Sequence, residues 1–101
     1  MPTTTPPPPR YGELARFFPT PDARARALGV TRRLVAALDR GEEVSAGALP
    51  TRRLNVVLDA ARAVEGRDGG PEEAGAWLLG ADEGTGQARI DAVRRTGRLP
   101  G

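Results

Sequence analysis

The sequence predicts an all-α fold, a compact bundle of five or six short helices behind a disordered proline-rich leader. Three observations carry this. Apolar residues recur at helical spacing, and no segment alternates apolar and polar residues with the period of two of a half-buried strand. The apolar stretches are bracketed by helix start and stop signals. Aromatics are few (Tyr11, Phe17, Phe18 and Trp77), so the core must come from Leu, Val, Ile and Ala, which suits helices better than a sandwich.

The elements follow in order. Residues 1–9, MPTTTPPPP, read as a tail, because consecutive prolines favour extended polyproline II and cannot open a helix. Arg10 to Phe18 is a candidate first helix, with Tyr11, Leu14, Phe17 and Phe18 on one face and Pro19 ending it. Thr20-Pro21-Asp22 then gives a cap, a first-turn proline and an acid at the positive helix end. That helix runs to Leu28, where Gly29 stops it. Thr31 caps a further helix, Arg32 to Arg40, with Leu34, Val35 and Leu38 inward and Gly41 closing it. Glu42 to Leu49 reads as a loop. Thr51 to Val64 is the longest helix, with an apolar stripe of Leu54, Val57, Leu58, Ala61 and Val64 that serves as core or dimer seam. Glu65 to Gly70 reads as a linker. Pro71 to Leu79 forms a helix with acids in its first turn. Ala81 to Gln87 is a glycine-bearing loop, and Ala88 to Thr96 a last helix stopped by Gly97. The organisation is therefore a tail over 1–9, a helical region over 10–64, a second over 71–97 and a short tail over 98–101, all within one domain.

Composition narrows the function classes. Cysteine and histidine are absent, which removes disulfides, thiolates, the commonest general base and the commonest metal ligand together. No cofactor or metal is expected. No apolar run approaches the roughly 20 residues of a membrane span, and no signal pattern opens the chain. A soluble, cytoplasmic protein is the expectation. All 15 basic residues are arginine, as a GC-rich coding genome would give and as bidentate phosphate contact would favour. Residues 1–64 carry ten Arg against six acids, a net +4, and residues 65–101 five against seven, a net −2, which together make the overall +2. Two surfaces with different partners fit this split.

Pro21 to Gly41 is the centre of the chain. Ala25, Gly29 and Val35 are spaced as a bihelical unit needs: a small residue for close approach, a glycine for the turn and an apolar residue to close the contact. This resembles a helix-turn-helix of the DNA-binding type. The resemblance implies that Thr31, Arg32 and Arg33 meet base edges and phosphates at the start of the second helix, with Ala36 and Arg40 further along the outer face. Arg24 and Arg26 would flank the phosphate backbone. Any one of these arginines alone reads as a solvated side chain, whereas four between positions 24 and 33 point to an anion. Asp39, Glu42 and Glu43 oppose close DNA approach beside Arg40.

The back half adds a second resemblance. A helix starting Arg53-Leu54 is followed by one carrying Ala74, Trp77 and Leu78, then by an Ile90-Asp91-x-Val93 helix ending at Gly97. In order these are similar to antitoxins of the Xre/MbcA/ParS type, partners of RES-domain toxins. The resemblance implies an antitoxin that binds and neutralises such a toxin and autoregulates on operator DNA, as a homodimer or a hetero-oligomer with the toxin. The C-terminal region would cover the toxin's NAD-binding pocket, which places Trp77, Arg94, Arg95 and Arg98 nearest the toxin. The chain departs from the family at Gly80-Ala81-Asp82-Glu83, where a Pro-Asn turn is usual. It departs again at Arg89, where a proline is usual, and at Gly97, after which a further helix is usual. Other classes stay open: an adaptor module without DNA binding, or a free-standing helix-turn-helix regulator. An enzyme is not expected, since Asp82 and Glu83 have no nucleophile in the same stretch.

Overall fold

The computed structural model describes residues 3–99. A two-residue strand β1 (Thr4–Thr5) leads into a 3₁₀ helix (Pro9–Glu13) that continues as α1 (Leu14–Phe17). The helical hairpin α2 (Pro21–Leu28) and α3 (Arg32–Asp39) follows, then β2 (Val44–Ser45), α4 (Thr51–Asp68), α5 (Pro71–Leu79) and α6 (Arg89–Thr96). Among the described residues the protein is all-α apart from β1, β2 and a single antiparallel bridge between Ala81 and Ala88. No helix among the described residues is long and apolar enough to cross a membrane.

The core is aliphatic with a few rings. Leu54, Val57, Leu58, Ala61 and Val64 of α4 are buried along the predicted stripe. They meet Leu14, Phe17 and Phe18 from the N-terminal side, Leu28 from α2, Ala74 and Leu78 from α5, and Ile90 and Val93 from α6. Burying Phe, Leu and Ile side chains contributes about 1.5–3 kcal/mol each, which holds helices too short to stand alone. α1 and α5 approach closely at Gly75, where a Cβ would lie 1.8 Å from the Phe17 carbonyl oxygen.

Four expectations need correction. The leader is not disordered over residues 3–9. Thr4 pairs antiparallel with Ser45 and Thr5 with Val44, and the Ala46 N–H donates to the Thr3 carbonyl at 2.9 Å. Met1 and Pro2 lie outside the described residues. The same pairing puts a strand inside the expected loop at Glu42 to Leu49. The expected linker at Glu65 to Gly70 is mostly helix, because α4 runs on to Asp68 and ends at Gly69 with φ 104°. Arg16 pairs with Glu65 at 3.6 Å, and the Arg67 guanidinium lies 5.9 Å from the Trp77 ring centre, so both neighbouring elements hold this extra turn. Finally, Leu99 of the expected C-terminal tail packs against the core, while Pro100 and Gly101 lie outside the described residues.

Candidate functional site

The helical hairpin is set by its caps. Thr20 Oγ1 accepts from the Ala23 N–H at 3.1 Å, and Pro21 follows in the first turn. Gly29 sits at φ 69°, ψ 35°, left-handed backbone that glycine adopts without penalty. The N–H groups of Gly29 and Val30 both donate to the Ala25 carbonyl, at 2.9 and 3.1 Å, which closes α2. Thr31 Oγ1 then accepts from the Leu34 N–H at 3.2 Å and starts α3. Val35 and Leu38 are buried, and Leu34 is only half-buried.

This geometry sorts the predicted DNA-contacting residues. Arg33 is exposed and has no ion-pair partner among the described residues. Arg26 is exposed, with a 3.4 Å contact from Nη2 to the Leu79 carbonyl. Arg32 is exposed but pairs with Asp22 at 2.5 Å, and Arg40 pairs with Glu42. Thr31 is exposed but its hydroxyl oxygen serves as the cap, and Ala36 is half-buried. Arg24 must be withdrawn as a phosphate contact, because it is buried. Its Nη1 donates to the Phe18 carbonyl at 2.9 Å and its Nη2 to Asp39 at 2.8 Å. Tyr11 completes this network by donating to the other Asp39 oxygen at 2.7 Å. Burial, then the Asp39 hydrogen bond and charge, push the Tyr11 hydroxyl up to about 12. Burial works against the Asp39 carboxylate, yet hydrogen bonds from Tyr11 and Arg24 outweigh it and hold Asp39 below its ordinary value. Asp39 is therefore neutralised from within and opposes DNA less than the sequence suggests.

The predicted toxin-facing residues divide as well. Trp77 is half-buried, with the Arg89 guanidinium 4.5 Å from its ring centre and Arg89 Nη1 donating to its carbonyl at 2.9 Å. Arg95 and Arg98 are exposed. Arg94 is half-buried and turned toward α2. It pairs with Asp91, and its guanidinium lies over Gly29, where a Cβ would stand 1.7 Å from Nη1. Arg94 thus belongs with the hairpin rather than with Arg95 and Arg98. Asp82 and Glu83 do not act as a pair, since the Asp82 carboxylate accepts from the Gly84 N–H at 3.0 Å and shapes its own turn.

Arg52 and Arg53 carry no binding role in the sequence-based expectations, where Arg53 serves only to open the Arg53-Leu54 helix. With Arg94 they line a cavity of about 190 Å³ between the first turn of α4 and α6, alongside Pro50, Val56 and Gly97. The adjacent arginines after Pro50 were a visible signal, but their third member stands some 40 residues away and only folding brings it in. Comparison with protein-family models, with curated proteins and with solved structures finds no match to this chain.

Proposed function

We propose that the chain is a small regulatory antitoxin that contacts operator DNA through the α2–α3 hairpin and a RES-like toxin through its C-terminal helices. The observation that carries the DNA half is the start of α3. It presents Arg33 to solvent without a carboxylate partner among the described residues, next in sequence to Arg32, which shares a surface hollow with the exposed Arg26. The hairpin from Thr20 to Gly41 holds five arginines and two aspartates, a net +3 within a chain of net +2. One short helix makes few contacts, so a dimer or a toxin-bridged assembly supplies the remaining affinity. The toxin half is supported by the order of the Ala74-Trp77-Leu78 and Ile90-Asp91-Val93 helices, by the exposed Arg95 in the last turn of α6 and by the exposed Arg98 just past its end.

The test is co-purification of the tagged chain from its native host with and without nuclease, followed by duplex binding of Arg32→Ala with Arg33→Ala across a salt series. Loss of affinity with a shallower salt dependence supports the hairpin as the contact surface. Unchanged binding sinks it. A stoichiometric protein that survives nuclease supports the antitoxin half. Such a partner without any DNA retention at low salt selects the adaptor reading, which Glu42 and Glu43 at the far end of α3 favour.

A further inference from the structure

We propose that the cavity between the first turn of α4 and α6 is a phosphate-binding site formed by the guanidinium groups of Arg52, Arg53 and Arg94. Three arginines lining one small cavity repel one another, and an anion seated among them removes that cost. None of the cavity's lining residues is acidic. Arg52 and Arg53 have no carboxylate partner among the described residues, and Asp91, outside the lining, takes only one nitrogen of Arg94. Arg94 Nε is buried with no hydrogen-bond partner, a donor the fold leaves unsatisfied. Burial, and then the charge of Arg53, press Arg94 below its ordinary pKa.

The ligand class follows from donor chemistry and size. Arginines that line one cavity from two helices suit an oxyanion with acceptors on several sides, and arginine binds phosphate bidentately. Thr51, Arg52 and Arg53 also precede the first intrahelical bond of α4, which Leu54 makes to the Pro50 carbonyl. At about 190 Å³ the cavity falls below the roughly 300–1,000 Å³ of sites that enclose larger ligands. It encloses a phosphate group and leaves the remainder of any larger ligand outside. The site also touches the hairpin turn. Arg53 Nη1 contacts the Leu28 carbonyl at 3.5 Å, and Arg94 covers Gly29. A bound phosphate therefore braces the turn from which α3 departs. The phosphate comes either from a nucleic-acid backbone or from free solution, and the site does not rest on DNA contact by α3.

The experiment is calorimetric and phosphorus-NMR titration of the full chain with inorganic phosphate at constant ionic strength, chloride replacing it in the control. Saturable binding is expected, weakened about tenfold by Arg52→Ala and by Arg53→Gln, each removing charge-assisted hydrogen bonds. Arg95→Ala, exposed on α6 and outside the lining, leaves it unchanged. Arg52 is itself exposed, so its variant folds, as circular dichroism verifies. No saturable phosphate binding overturns the proposal, and so does equal weakening by Arg95→Ala, which reports charge alone. A short duplex is then added. If it displaces phosphate and itself binds Arg52→Ala more weakly, the ligand is a backbone phosphate. If phosphate stays bound, the ligand is a free phosphate. Arg33→Ala separates the two functional readings, because it weakens duplex binding through α3 and leaves phosphate binding intact.

Discussion

Tyr11, Arg24 and Asp39 join the segment before α1 to both arms of the helical hairpin, so their chemistry is structural. Arg24→Ala leaves the Phe18 carbonyl and the Asp39 carboxylate short of a partner. A loss of about 1–3 kcal/mol in urea denaturation is expected, mainly from the buried Phe18 carbonyl left without its donor, because Asp39 is itself exposed and stays solvated. Tyr11→Phe removes the hydroxyl's 2.7 Å bond to Asp39 together with its longer, 3.5 Å contact to the Val35 carbonyl, and costs about 1 kcal/mol. The pH dependence has two edges. The folded Asp39 value is depressed, so its contribution is present above the unfolded carboxylate value near 3.9 and is lost as pH falls through the folded one. The folded Tyr11 value is raised, so its contribution is complete below about 10 and is lost as pH rises through about 12. Tyr11→Phe therefore flattens the alkaline edge of a stability profile, and a profile unchanged there refutes this assignment. Gly75 poses a packing problem instead of a charge problem. Its Cβ position is occupied by backbone, the Phe17 carbonyl, which cannot swing away as a side chain can. Gly75→Ala is expected to cost about 2–3 kcal/mol as α1 and α5 are forced apart, read as a lowered Tm.

At the scale of elements, what was legible and what was not divides along local and non-local causes. α2, α3 and α5 were legible because caps, first-turn prolines and terminal glycines act within a few residues, and Thr20 and Thr31 do cap as their positions suggest. Thr31→Ala is accordingly expected to cost about 1 kcal/mol of stability. The last turn of α4 was not legible. Gly66 and the Gly69-Gly70 pair argue locally for a linker, and glycine inside a helix costs about 1 kcal/mol. Arg16 on Glu65 and Trp77 beneath Arg67 override that preference, and neither contact is visible from the segment itself. The β1–β2 pairing escaped for a related reason, since two residues cannot display a period and the partner lies about 40 positions away. The candidate site divides the same way. Exposure of Arg33 follows from its place on α3, whereas the inward turn of Arg24 and the meeting of Arg52, Arg53 and Arg94 exist only in the packed chain.

Across the whole molecule, the arrangement of pairs decides more than the net charge of +2. Around the hairpin, Asp39 is bound to Arg24 and Tyr11, Glu42 to Arg40 and Asp22 to Arg32, which leaves Arg33 and Arg26 as the cations without a carboxylate partner among the described residues. The proposed DNA surface, built this way, has a specific weak point. Asp22 holds Arg32 at 2.5 Å while standing in the first turn of α2, where its charge also favours the helix by about 0.3–1 kcal/mol. Asp22→Asn keeps the shape, sacrifices that small helix contribution and frees a guanidinium for phosphate. Duplex affinity is therefore expected to rise although stability falls slightly, and the salt dependence to steepen by about one counterion contact. Arg33→Ala is expected to move both quantities the opposite way. Anisotropy titrations over a salt series read the two variants on one axis. If Asp22→Asn leaves affinity and slope where they were while Arg33→Ala lowers both, Arg32 is a structural partner of α2 and Arg33 acts without it. If neither variant moves the slope, the hairpin is not the DNA surface, and the acidic residues at the end of α3 mark an adaptor face instead.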